Sequence, residues 1–337
     1  MTDTASSTAS STSSSLGKRI LLAVLLLVSG LIPVLVLYAI THELAMIWAL
    51  PATFAGVSAV LFGDRKIAII NALTLALLAP VAITASANPV AGTALIAVLC
   101  LVVGQLSQYE LQGATLFAPV LMSWLVLSPP PWDGTVDLSN TAYLAWVGVA
   151  FGLGALLPAL VLPLLLKRTA VTLVHRHSSR ESLSYTVTIM VLAAGSTWVL
   201  MNLEHHAKGA WVITTIIMLA QVGDVGTFGR TLSRVLGTLL GVGVVMVVFT
   251  FSPPAWLIMT LGVLFAIAAI TAMFGPRYWL VVAFLTPAVL CADASSSGDL
   301  VPLGELRLEG TIIGGLLVVV SALVSIGFSK LSERRAG

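Results

Sequence analysis

Charge is what this chain has least of. Asp, Glu, Lys and Arg together make 9% of its 337 residues, against roughly 25% in a soluble domain. A surface so poor in charge cannot face water, which excludes a soluble globular protein and leaves lipid as the solvent. Cysteine is almost missing as well. Cys100 and Cys291 both lie within apolar stretches, so they read as small buried hydrophobes and argue against a disulfide framework or a metal site. Catalytic motifs are lacking: the apolar stretches hold no Gly-x-Ser-x-Gly, no His-x-x-x-His, no Ser/His/Asp set and no Asp-rich cluster. No enzyme activity, cofactor or metal is therefore expected. There is also no Gly-x-x-x-x-Gly-Lys-Ser/Thr run, which argues against ATP use. Met1 to Ser15 is almost entirely Ser, Thr and Ala. It lacks the basic start of a secretory signal and reads as a disordered cytoplasmic tail.

What the chain has in abundance is long apolar runs. It is 58% hydrophobic, with a mean hydropathy of +1.06. The runs are about 16–26 residues long, the length of spanning helices and not of the ~10-residue alternating strands of a barrel. Helices are predicted over 20–40, 45–63, 67–86, 90–107, 112–128 and 141–166, and then over 184–202, 209–224, 232–251, 255–274, 276–292 and 308–329. Threading the gaps alternately inside and outside, starting inside, sorts the cations. Lys18, Arg19, Arg65, Lys66, Lys167, Arg168, Arg176, Arg180, Arg230, Arg234, Arg277, Lys330, Arg334 and Arg335 fall inside, and only Lys208 and Arg307 fall outside. Cytoplasmic loops collect Lys and Arg in this way. The expected location is the bacterial inner membrane, with many passes and both termini cytoplasmic.

The expected fold is all-α: a polytopic membrane protein of about 12 transmembrane helices arranged as two parallel six-helix repeats. The expected parts are a tail over 1–18, a first membrane half over 19–168, a basic connector over 169–182, a second half over 183–330 and a tail over 331–337. Three correspondences carry the repeat: Trp48 with Trp211, Pro119 with Pro287, and Gly148 and Gly152 with Gly310 and Gly314. An even helix number per half makes the repeat parallel, with its axis along the membrane normal. Pro119 and Pro287 are the expected helix breaks, whether packing kinks or points where a freed carbonyl meets a ligand.

Two helix starts share one face. The run from Arg230 to Gly241 contains Arg234, Thr238 and Gly241, while the run from Arg307 to Gly315 contains Arg307, Thr311 and Gly314. Offsets of four and then three residues lie on one side of a helix. Gly and Thr let another helix approach closely, with Gly237 and Gly310 adding to the same packing, and Arg presents its guanidinium beside them. An ionisable group inside a span costs about 2.5–3.5 kcal/mol at its centre, so each is a functional candidate. Arg234 is placed near the cytoplasmic mouth and Arg307 near the opposite end. Arg307 is expected to find a partner on another helix, with Asp293 and Asp299 as candidates. Glu309, Asp293, Asp224 and Glu110 are the carboxylates available for proton coupling, and Glu309 is preferred because it adjoins the Gly/Thr face. Trp48, Trp132, Trp211, Trp256 and Trp279 fall near helix ends and read as an interfacial belt. Trp211 is also a candidate for stacking on an aromatic substrate.

The runs Arg230 to Gly241, Tyr278 to Pro287 and Arg307 to Gly315 resemble the fusaric acid resistance and aromatic acid exporter family, most clearly over roughly 205–330. The resemblance implies an inner-membrane efflux protein for small organic acids or related aromatic toxins, working with a periplasmic membrane-fusion adaptor. Familiar members often carry a large soluble domain between their membrane halves, where this chain has only a short connector.

The resulting expectation is a proton-driven exporter of aromatic carboxylic acids. The alternative is a non-transporting membrane scaffold or a subunit of a tripartite envelope export complex. Expected partners are a small organic anion, the lipid bilayer and the adaptor. A homo-oligomer is left open, and no nucleic acid is expected.

Overall fold

The computed structural model describes residues 16–166, 177–203, 206–220, 227–251, 253–275, 277–297 and 300–336. The predicted tail over 1–15 and most of the basic connector lie outside the described residues. The elements are α1 (Leu16–Thr41), a 3-10 turn over Leu44–Trp48 leading into α2 (Ala49–Phe62), α3 (Arg65–Ala85), α4 (Pro89–Leu106), α5 (Gln112–Thr115), α6 (Phe117–Leu127), α7 (Thr141–Leu166), α8 (Ser179–Asn202), α9 (His206–Leu219), α10 (Thr227–Phe249), α11 (Ala255–Met273), α12 (Tyr278–Ser297) and α13 (Leu300–Ala336).

Over the described residues every predicted apolar run is helical. Among the described residues, nine helices are long and apolar enough to cross a membrane. The stretches Gln112–Leu127, Gly209–Leu219 and Tyr278–Cys291 are apolar but shorter. The first of these is divided where α5 ends and α6 begins, at Leu116.

Local chemistry sets several boundaries. Asp64 caps α3 by accepting from the Ile67 amide at 2.9 Å. Asn88 caps α4 by accepting from Val90 and Ala91, and Pro89 supplies a first helical position that needs no N–H. Ser178 and Glu181 form a reciprocal capping box, so α8 starts at Ser179, five residues before the predicted start. Thr hydroxyls inside the helices donate to carbonyls four residues back, as at Thr53, Thr186, Thr197 and Thr214. This satisfies them without water. Between α6 and α7, Asp133 (φ 50°) and Gly134 (φ 77°) make a two-residue turn bridged by Trp132 and Thr135. Both left-handed positions are what an Asp-Gly hairpin turn requires.

The outer faces are apolar, with Leu77 and Leu164 each 72% exposed. That is a lipid-facing surface. The main core runs through both halves and includes Leu75, Ile96, Met122, Tyr143, Phe151, Ile189, Ile213 and Ile216. Small residues bring the helices close. A Cβ on Gly154 would run into the Ala49 carbonyl oxygen, and one on Gly56 into that of Ala155, so α2 and α7 touch backbone to backbone.

Candidate functional site

The site is built around α9. Along this helix Trp211 and Thr215 stand one turn apart, about 6 Å in axial rise. Each meets an arginine from a different helix. Arg234 of α10 donates from Nε to Thr215 Oγ1 at 3.3 Å and from Nη1 to the Tyr278 hydroxyl at 3.0 Å. Arg307 of α13 lies over the Trp211 indole, its guanidinium carbon 3.8 Å from the ring centre. Both cations are buried, Arg234 at 8% exposure and Arg307 at 4%. The sequence places these arginines at opposite ends of the protein. The packing of α10 and α13 against α9 brings them to successive turns of one helix instead.

Close packing explains why they meet. Gly310 sits against Trp211 and Gly314 against the Val212 carbonyl and Thr215, which seats α13 on α9. Gly315 faces Thr231, which joins α13 to α10. Gly237 faces the Trp279 carbonyl and Val282, and Gly241 faces Thr286 and Pro287. The two Arg-Thr-Gly faces therefore bind different neighbours, α12 for α10 and α9 for α13. Thr238 and Thr311 are both buried at 2% exposure.

The proline expectations divide. Pro287 lies inside α12, buried where α10 crosses at Gly241, beside a Thr286 hydroxyl with no hydrogen bond among the described residues. Pro119 sits in the first turn of α6, just past the interruption at Leu116, where a missing N–H costs nothing. Glu309 is exposed, and Glu305 is too. The Asp293 side chain, Asp299 and Asp224 lie outside the described residues. Glu110 takes a left-handed backbone conformation after the short 3-10 turn that follows α4.

The tryptophan belt also divides. Trp256 is 66% exposed and Trp279 38%, as lipid-interface residues are. Trp48 and Trp211 instead point inward to a cluster joining the two halves. Trp48 stacks on Phe151 at 6.3 Å and meets Trp124 at 5.8 Å, and Trp124 meets Trp211 edge-on at 4.5 Å. Trp132 packs on Tyr143 at 5.7 Å. Trp124 Nε1 donates to Thr214 Oγ1 at 2.9 Å. The reason is steric and polar together: near-backbone contact of α2 with α7 and of α9 with α13 leaves room inside for large rings.

Tyr278, Thr215 and Trp124 are missed by the sequence reading. The signal was present for two of them. Thr215 lies one turn beyond Trp211, and a tryptophan in mid-helix, as at 124, must find an acceptor for its N–H. Tyr278 reaches Arg234 only through the α10–α12 crossing, and its ring also lies 5.9 Å from the guanidinium of the exposed Arg230.

The chain is thus a polytopic helical membrane protein whose second half encloses two arginines beside hydroxyls and aromatic rings. Residues 192–321 match the model of the fusaric acid resistance protein-like family. That stretch takes in Trp211, Arg234, Tyr278 and Arg307, and the expected family resemblance is upheld there. Comparison with curated proteins and with solved structures gave no match. That match and the apolar helices together point to a membrane transport-related protein.

Proposed function

We propose that the protein is an exporter of small organic anions, aromatic carboxylic acids foremost, driven by the proton gradient across the bacterial inner membrane. One observation carries this reading. Arg234 is buried, and its partners among the described residues are two neutral hydroxyls, those of Thr215 and Tyr278. A guanidinium has five N–H groups in a planar fork that fits a carboxylate with two parallel bonds. Both hydroxyl oxygens accept from Arg234, so their own protons are available to a bound anion. A positive charge inside a span is costly, and a neutralising ligand is the economical reason to keep one there.

Helix packing that runs alike in the first and second halves supports the transporter reading. In the first half α2 and α3 both pack on α7, while α6 packs on α3 and α4. In the second half α9 and α10 pack on α13, while α12 packs on α10 and α11. The contact of α4 with α8 across the halves is answered by that of α11 with α1. The glycine pairing differs from the predicted one. Gly148 and Gly152 face α3, and it is Gly154, against Ala49, that stands as Gly314 does against Val212. At the chain offset relating Trp48 to Trp211, Arg234 answers to Asn71 and Thr215 to Ala52, so the anion site belongs to the second half alone. Asn71 is buried and donates to the Ala55 carbonyl at 3.4 Å.

The test uses benzoate as probe. Purified protein with Arg234→Gln is expected to bind radiolabelled benzoate at least tenfold more weakly than the parent, and cells carrying it to retain the acid. Unchanged binding and unchanged efflux would move the reading to a scaffold. A periplasmic adaptor and further copies of the chain remain the proposed partners.

A further inference from the structure

Near the start of α9 a single aromatic side chain lies over the second buried arginine. Trp211 covers the Arg307 guanidinium face at 3.8 Å. The indole is braced from behind by Trp124, edge-on at 4.5 Å, and Trp124 is itself tied to Thr214. Thr214 in turn donates to the Ala210 carbonyl at 2.7 Å. Gly310 lies against the Trp211 Cβ, so the base of the side chain has no room to move toward α13. Thr311 stands one turn further along α13 on the face of Arg307 and is 2% exposed.

We infer that Trp211 is the outer gate of the anion path: its indole, drawn onto Arg307 by a cation–π contact, seals the Arg234 site from the periplasm and swings aside to release substrate. This rests on the anion-export reading and on its topology. A cation–π contact suits a lid, because it is strong when desolvated yet has no hydrogen bond to break. The brace from Trp124 sets the closed position to which the ring returns.

The experiment reads whether closure follows cation–π chemistry or mere bulk. Thr311→Cys is introduced in the full chain as a reporter for a membrane-impermeant thiol reagent. Cys100 and Cys291 are buried, at 0% and 1% exposure. The reporter is expected to stay shielded in intact cells with native Trp211, with Trp211→Phe and with Arg307→Lys, all of which keep a ring over a cation. Trp211→Leu, and separately Arg307→Gln with Trp211 in place, should each speed labelling by roughly tenfold or more, the population shift expected on losing a desolvated cation–π contact. Equal labelling of the Phe and Leu variants, or an unlabelled Arg307→Gln variant, would overturn the gate. Labelling confined to inside-out vesicles would overturn its outward assignment. Should the Leu variant fail to fold, the Arg307→Gln arm decides. No arm uses a substrate, so failure of benzoate to bind at Arg234 leaves the gate test readable, and failure of the gate leaves the binding test readable.

Discussion

Arg234 owes its place to three helices at once. Its own helix, α10, supplies the stem, α9 supplies Thr215 and α12 supplies Tyr278. The two acceptors differ in what they can lose. Tyr278→Phe keeps the ring facing Arg230 but removes the oxygen that accepts from Nη1. A buried donor left without its acceptor costs about 1–3 kcal/mol. The variant is therefore expected to reach the membrane normally but to bind benzoate roughly tenfold more weakly, measured by equilibrium dialysis on purified protein. Arg234→Lys should fall between Arg and Gln, since an ammonium keeps the charge and loses the planar fork. The same assay on that variant separates charge from geometry.

At the scale of the element, glycine decides which helices may touch. Gly154 and Gly56 let α7 and α2 meet at backbone distance, and Gly310 and Gly314 do the same for α13 and α9. Gly154→Leu forces a side chain against the Ala49 carbonyl, where no flexible neighbour can give way. Overpacking of this kind costs about 1–3 kcal/mol. The expected outcome is a lower melting temperature and less monodisperse protein in detergent, while a change at Gly243, which has open space around it, leaves both unaltered. The helix positions were legible in the sequence because a bilayer demands long apolar runs and every backbone group must bond within its own helix. Their ends were less so. The start of α8 depended on the cap made by Ser178 and Glu181, and the short piece from Gln112 to Thr115 on a break at Leu116 that no proline or glycine marks.

For the whole molecule, the distribution of cations makes a topological claim. Reporter fusions after Gly337 are expected to score as cytoplasmic, and one inserted at Asp137, in the loop between α6 and α7, as periplasmic. An inverted pattern would reverse the direction of the proposed path and the identity of its outer gate. The sequence by itself determined that the chain lives in lipid, which stretches of it are apolar helices, and which residues in its second half were costly enough to matter. These follow from composition and spacing, since the expense of burying Arg234 or Arg307 depends on their immediate solvent and not on their partners. Only the tertiary structure decided that the two arginines meet residues one turn apart on α9, that Trp48 and Trp211 turn inward while Trp256 stays in lipid, and that Tyr278 reaches Arg234. Such contacts depend on which helix faces cross and at what height, and helices that are apolar nearly all round offer no periodic stripe from which to read a facing partner.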